Sequence, residues 1–245
     1  TCTWDESTVC KYDGNVDLSD VTYVIEERGC SDYYPTYTKV DSVKGQTTID
    51  IPMVTNTGAQ VLKTLWISAK NDYGQSSYKA LPSIMLGKPY DLPFSESVTK
   101  NLLHGRLWTT YGTGKSDFWT IDDNYPDCVD NDGGAFHMIS EADTDWAYLG
   151  TGKIALAGAA EPKLIFYHKA ETGSNAKIKI DVELPDGTTE EVANIDAAKD
   201  EGKWTASAVS LADYVDKDFV SVNFVAQANT GNVVYIDLLV IRDTY

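Results

Sequence analysis

Along much of the chain, hydrophobic positions recur with a period of two. The clearest case is Lys177-Ile178-Lys179-Ile180-Asp181-Val182-Glu183-Leu184, which places four apolar side chains on one face of an extended strand and four charged ones on the other. Such a strand sets one face on a core and the other in water. Val220, Val222, Phe224 and Ala226 alternate in the same way with Phe219, Ser221, Asn223 and Val225, whereas 164–167 and 233–241 are nearly apolar throughout, as central strands of a two-sheet sandwich are. Pro185-Asp186-Gly187 supplies a hairpin turn between two of these strands. No helical stripe of useful length interrupts the pattern; only 193–199 has room for a short turn of helix.

In the first third, β-rich stretches at 21–25, 37–40, 47–51, 62–69 and 77–85 are separated by Gly, Asn, Asp and Ser, which predicts a second, smaller all-β sandwich. Gly87-Lys88-Pro89-Tyr90-Asp91-Leu92-Pro93 places turn chemistry and two prolines between the halves. Charge changes at the same place: residues 1–88 carry 11 acids and 8 bases, while 89–245 carry 26 and 12. The sequence therefore predicts two domains, 1–88 and 89–245, the second within normal domain size.

The 245 residues include 20 basic and 37 acidic side chains, a formal net charge of −17. With no Lys/Arg cluster to neutralise phosphates, nucleic acid and anionic lipid are excluded as partners, and cations and neutral ligands remain. The longest apolar run, 233–241, is broken by Asp237 and falls short of the roughly 20 residues a membrane helix needs, so no membrane insertion is expected. Cys2, Cys10, Cys30 and Cys128 lack CxxC spacing, and three histidines are too few for an obvious zinc site. A disulfide among Cys2, Cys10 and Cys30 would suit an exported protein, with the pairing left open. The abrupt start at Thr1, inside what reads as a strand, suggests a piece of a larger parent chain with further domains.

Residues 65–76, Leu-Trp-Ile-Ser-Ala-Lys-Asn-Asp-Tyr-Gly-Gln-Ser, resemble the F-to-G turn of a fibronectin type III domain, and Trp4 resembles that family's strand-B tryptophan. An initial strand A is missing and Leu65 replaces the family's core tyrosine. In the second domain, the order and spacing of Leu92-Pro93-Phe94-Ser95-Glu96, Trp108, Trp119, Asp132-Gly133-Gly134-Ala135-Phe136, Ile154-Ala155-Leu156, Pro162-Lys163-Leu164-Ile165-Phe166, Trp204, Val209-Ser210-Leu211-Ala212-Asp213-Tyr214 and Val234-Tyr235-Ile236-Asp237 resemble the MAM-like jelly rolls, including choice-of-anchor J and cleaved adhesin (gingipain haemagglutinin-type) domains. The resemblances imply an all-β fold, a fibronectin III/Ig-like sandwich followed by a concanavalin/galactose-binding-like jelly roll. They also imply a secreted or cell-surface protein of Gram-negative bacteria, with adhesion to glycan or to host or matrix protein as its role. They place Trp108, Trp119 and Trp204 in the core.

Candidate chemistry concentrates in acids and aromatics. Five aspartates fall within the eleven residues 122–132, and such crowding repels itself unless a cation or water relieves it. The segment lacks EF-hand spacing. Asp237, inside an apolar strand, needs a partner: a metal ion, a backbone N–H pair or a hydroxyl. The family resemblance implies a structural cation near this aspartate together with a first-strand glutamate, for which Glu96 is the nearest carboxylate. The expected site is one structural calcium held by some of Glu96, Asp122, Asp123, Asp130, Asp132 and Asp237. Sugar-binding sandwiches stack pyranose faces on exposed rings, and the candidates are Tyr111, Tyr125, Trp146 and Tyr148. Glu141-Ala142-Asp143-Thr144-Asp145-Trp146 resembles the acidic strand of laminarinase-type glycoside hydrolases, which keeps hydrolysis as an alternative, beside a purely structural spacer. Retaining hydrolysis requires two carboxyls roughly 5 Å apart. His104, His137 and His168 stand in no nucleophile motif, and no catalytic residue is expected.

Overall fold

The computed structural model describes residues 2–4, 18–30, 34–52, 58–98, 106–112, 119–122, 128–130, 132–140, 142, 146–200 and 202–244, with the main chain alone at 18, 30 and 122. The chain divides into two compact units, Thr1–Gly87 and Lys88–Tyr245. Both are built from strands; the helical elements among the described residues are two single 3-10 turns, Leu18–Asp20 and Ala212–Tyr214.

The first unit contains β1 (Cys2–Thr3), β2 (Thr22–Cys30), β3 (Pro35–Lys44), β4 (Thr48–Ile49), β5 (Val61–Lys63), β6 (Leu65–Asn71), β7 (Gly74–Gln75), β8 (Lys79–Ala80) and β9 (Ile84–Leu86). A five-stranded sheet runs β3-β2-β6-β7 with β8 also on β6, and the pairs β1-β4 and β5-β9 complete the unit. Val21, Tyr23, Ile25, Leu65 and Ile67 form its core, with Trp4 tilted on Tyr23 at 5.2 Å. The hairpin at 71–74 closes because Asn71 Oδ1 accepts from the N–H groups of Tyr73 and Gly74, the side-chain turn that Asn forms readily. The stretch 62–69, expected as one strand, is two: β5 pairs with β9 and β6 with β2, so its halves serve different sheets. The stretch 77–85 divides in the same way between β8 and β9. Cys2 is a free thiol, whereas Cys10 and the Cys30 side chain lie outside the described residues.

The second unit contains β10 (Phe94–Glu96), β11 (Trp108–Gly112), β12 (Thr120–Asp122), β13 (Ala135–Ile139), β14 (Ala147–Thr151), β15 (Pro162–Ala170), β16 (Lys177–Glu183), β17 (Thr189–Asp196), β18 (Thr205–Ser210), β19 (Ser221–Gln227) and β20 (Val233–Asp243). One sheet runs β12-β13-β20-β15-β18 with β10 also on β20; the other runs β11-β14-β19-β16-β17. Every pairing between these strands is antiparallel. Alternation sets the core: Leu164 and Phe166 from one sheet meet Ile178, Ile180, Val222 and Phe224 from the other, all fully buried. Phe166 and Phe224 touch edge to face at 5.0 Å, a favoured aromatic geometry across the two layers. This is a jelly-roll-like β-sandwich.

Two local details shape the surface of this unit. The β16–β17 turn closes through Gly187 N–H on the Leu184 carbonyl, with Gly187 at φ 84°, and Asp186 Oδ1 accepts from the Thr188 amide and hydroxyl. The register of β15 against β20 shifts between Ile165 and Tyr167, which face Val240 and Asp237, so β20 is bulged there, with Leu238 at φ 45°. The segment 193–199 forms no helix. Its first four residues finish β17, paired with β16, and the chain then turns.

Candidate functional site

The outward face of the sheet β11-β14-β19-β16-β17 carries a concavity. Cross-strand register aligns Tyr111, Tyr148, Val225, Lys179 and Asn194 in one row. Tyr111 and Tyr148 stack at 4.3 Å with 27° between their planes, and Trp146 stands edge-on to Tyr111 at 5.6 Å. With Lys177, Asp181, Thr189 and Gln227 these residues line a groove of about 500 Å³. The two tyrosine hydroxyls share a hydrogen bond, and burial pushes the phenol ionisation of both upward, so both stay neutral donors and acceptors. One end of the groove thus offers ring surface and the other offers polar side chains, the combination that suits a ligand with an apolar face and a hydroxylated rim.

The next row across the same sheet is Thr109, Gly150, Asn223, Asp181 and Glu191. Outward positions of a one-sided sheet are ordinarily wet, yet Asp181 is 5% exposed and Asn223 2%. Lys179 Nζ holds Asp181 Oδ2 at 2.9 Å. Asp181 Oδ1 and Asn223 Nδ2 are shielded from solvent and have no hydrogen-bond partner among the described residues. Leaving each such group unpaired costs about 1–3 kcal/mol. Gly150 makes room for this row: a Cβ there would lie 2.6 Å from both Asn223 Oδ1 and Thr109 Oγ1.

A second cluster forms where the bulge in β20 meets the acidic segment. Asp237, 1% exposed, accepts from Val129 N–H through Oδ2 at 3.0 Å and from Leu238 N–H through Oδ1 at 2.7 Å. The partner that the sequence demanded is therefore a backbone N–H pair. Burial pushes its carboxyl up to about 6; the two N–H groups oppose this, and the charges of Asp130 and Asp132 reinforce it. Ser97 Oγ lies 2.6 Å from Asp130 Oδ2 and 2.7 Å from Asp132 Oδ2. One hydroxyl proton serves only one of these two oxygens at a time, while Asp130 Oδ1 accepts from Asp132 N–H and Asp132 Oδ1 from Gly134 N–H, each at 3.2 Å. Ligand atoms of Cys128, Asp130 and Asp237 come within 4.8 Å of one another. The oxygen donors fit calcium, which takes hard oxygen ligands; the Cys128 thiol, which accepts from Gly133 N–H at 3.1 Å, does not.

The remaining expected site residues fall elsewhere. Glu96 is buried, but its carboxylate accepts from Trp108 Nε1 at 3.1 Å and stands outside the Cys128–Asp130–Asp237 group. Asp122 ends β12 with its side chain outside the described residues, as are Asp123 and Tyr125. Glu141, Asp143 and Asp145, which carried the hydrolase resemblance, are also outside them. Trp119 is buried and donates to the Ala147 carbonyl at 3.2 Å, and Trp108 is half-buried against the core. Trp204 departs from its expected core position: it is half-buried and edges onto Tyr235 at 6.3 Å, outside the core cluster. His168 is buried, with Nε2 at 2.9 Å from Ser207 Oγ. Sequence reasoning does not single out Lys177, Lys179, Asp181, Thr189, Asn194, Asn223, Val225 or Gln227 as ligand-binding candidates. Their signal is the period-two outward phase of three neighbouring strands.

No protein-family model and no curated protein matches the chain. Solved structures do resemble it. The K1 cleaved adhesin domain of Lys-gingipain from Porphyromonas gingivalis W83 is 17% identical, with 62% of this chain and 99% of that one covered and a TM-score of 0.47. A CBM61 module in complex with β-1,4-galactotriose is 14% identical over 56% and 88% of the two chains, with a TM-score of 0.44. The CBM22-1 xylan-binding domain of Paenibacillus barcinonensis Xyn10C is 12% identical over 64% and 97%, with a TM-score of 0.41.

Proposed function

We propose that the second unit binds glycans in the groove of its five-stranded sheet and releases them unchanged. The observation that carries this reading is the groove itself, in which Tyr111, Tyr148 and Trp146 form a ring platform beside the polar side chains of Lys177, Lys179, Asp181, Asn194 and Gln227. Sugars present both kinds of surface, an apolar pyranose face and a hydroxyl rim. In this reading the protein is an exported adhesion module. Affinity electrophoresis and a glycan array with the full 245-residue chain test it. Tyr111→Ala or Trp146→Ala should weaken binding about tenfold, equivalent to about 1.4 kcal/mol. Binding to matrix proteins alone, or release of reducing ends from a polysaccharide, would overturn the reading.

We also propose one structural calcium held by Asp130, Asp132 and Asp237, where it would neutralise the crowded carboxylates and fasten the acidic segment to β20. The hydroxyl of Ser97 shared between two carboxylates supports it. Calorimetry on chelator-stripped protein should show heat on calcium addition and a higher melting temperature; the absence of both changes would rule the metal out.

A further inference from the structure

The groove residues account for a ligand's rings and rim, but not for the two buried atoms beneath them. Asp181 Oδ1 accepts only and Asn223 Nδ2 donates only, and neither finds a partner among the described residues. The two residues face each other across β16 and β19 in direct register, and Asp181 lines the groove. Gly150, the next member of the row, holds the geometry, since its missing side chain leaves space for the Asn223 amide oxygen. Lys179 occupies the other Asp181 oxygen, and its side chain is 38% exposed.

We propose that Asp181 and Asn223 read a single ligand hydroxyl, which donates its proton to Asp181 Oδ1 and accepts one from Asn223 Nδ2. This rests on the glycan-binding reading and narrows it to a class: neutral sugars with a free hydroxyl at that position. A hydroxyl is the common sugar substituent that donates and accepts through one atom. A methyl ether or ester cannot donate to Asp181, and a uronate or sulfate brings an anion against Asp181, with Glu183 on the same face of β16. Selection thus comes from a buried donor and acceptor, unpaired in the free protein, that only a free hydroxyl satisfies together.

The test measures binding of the full chain to β-1,4-galactan, xylan and laminarin, to O-methylated forms of the same polymers, and to polygalacturonate. The wild-type protein should bind at least one unmodified neutral polymer, at least tenfold more tightly than its methylated form, and should not retain polygalacturonate. Asp181→Asn and Asn223→Ala should each lower affinity for the unmodified polymer at least tenfold and bring the ratio of unmodified to methylated affinity towards one. That ratio compares two ligands on one protein, so a general loss of folded material does not change it. Polymer binding that is insensitive to methylation, stronger for polygalacturonate, or equally selective in both variants would overturn this inference while leaving glycan binding intact. No binding to any polymer by the wild-type chain would overturn both.

Discussion

Gly150→Ala tests whether the buried row on the five-stranded sheet is as tightly constrained as its geometry implies. The added methyl would stand 2.6 Å from Asn223 Oδ1, 2.6 Å from Thr109 Oγ1 and 3.2 Å from Tyr148 Cε1. Favourable carbon contacts lie at about 3.5–4.0 Å, so the first two neighbours must retreat by the better part of an ångström. Thr109 is half-buried and yields part of the distance by rotation. Asn223 is 2% exposed between Gly150 and Asp181 and has nowhere to retreat without disturbing that row. Overpacking of this kind costs about 1–3 kcal/mol. Urea unfolding monitored by tryptophan fluorescence and circular dichroism should show the second unit's transition move to lower urea. With a slope of about 2 kcal/mol per molar, the midpoint shift is about 0.5–1.5 M. The first unit's transition should not move, because Gly150 belongs to the second compact unit. A midpoint within about 0.2 M of wild type at unchanged slope would show that Asn223 moves aside freely, and would refute the rigid row on which the hydroxyl-reading pair depends.

Gly134→Ala should be more damaging than Gly150→Ala, because its Cβ would lie 1.9 Å from the backbone carbonyl oxygen of Val98, which has no rotamer through which to escape; loss of more than about 3 kcal/mol by the same unfolding assay is expected. Asp237→Ala removes the acceptor for two backbone N–H groups and should cost about 2–4 kcal/mol in calcium-free protein, with Asp237→Asn costing less because one carbonyl oxygen survives. The Asp237 carboxyl titrates near 6 in the folded protein against about 3.9 when unfolded, so it contributes stability below about pH 4 that is lost as pH rises through about 6; the melting temperature of chelated wild-type protein, measured against Asp237→Asn, should track that course. Burial lowers the His168 ionisation below its ordinary value of about 6.5, so protons bind the unfolded chain first and stability falls as pH drops below about 6.5; in His168→Asn that part of the pH dependence should disappear.

The sheets were legible where one strand's pattern reports its own environment. Ile178, Ile180 and Val182 alternate with polar residues and face the core as the period of two requires, and Pro185-Asp186-Gly187 turns the chain as its residue types dictate. Legibility failed where the deciding partner lies far along the chain. Asp181 reads as one of four solvated charges on β16, yet Asn223, 42 residues onward, stands opposite it on β19 and the carboxylate is buried. The alanines at 193 and 197–198 favour a helix locally, but pairing of β17 with β16 overrides propensity through Ala193–Asp196. The bulge at Leu238 is invisible in a uniformly apolar run, because a register shift is a property of two strands together. Tyr111, Trp146 and Tyr148 come together because β11 and β14 pair, which the sequence positions alone do not reveal.

Strand alternation has a practical consequence for engineering. Along β16 and β19 the groove positions Lys177, Lys179, Val225 and Gln227 interleave with Ile178, Ile180, Phe224 and Ala226, which hold the two layers together. Randomising the first set while fixing the second offers a display library on a constant scaffold, with neighbouring codons divided between recognition and folding. Selections from it would retune what the surface captures without reopening the problem of how the chain folds.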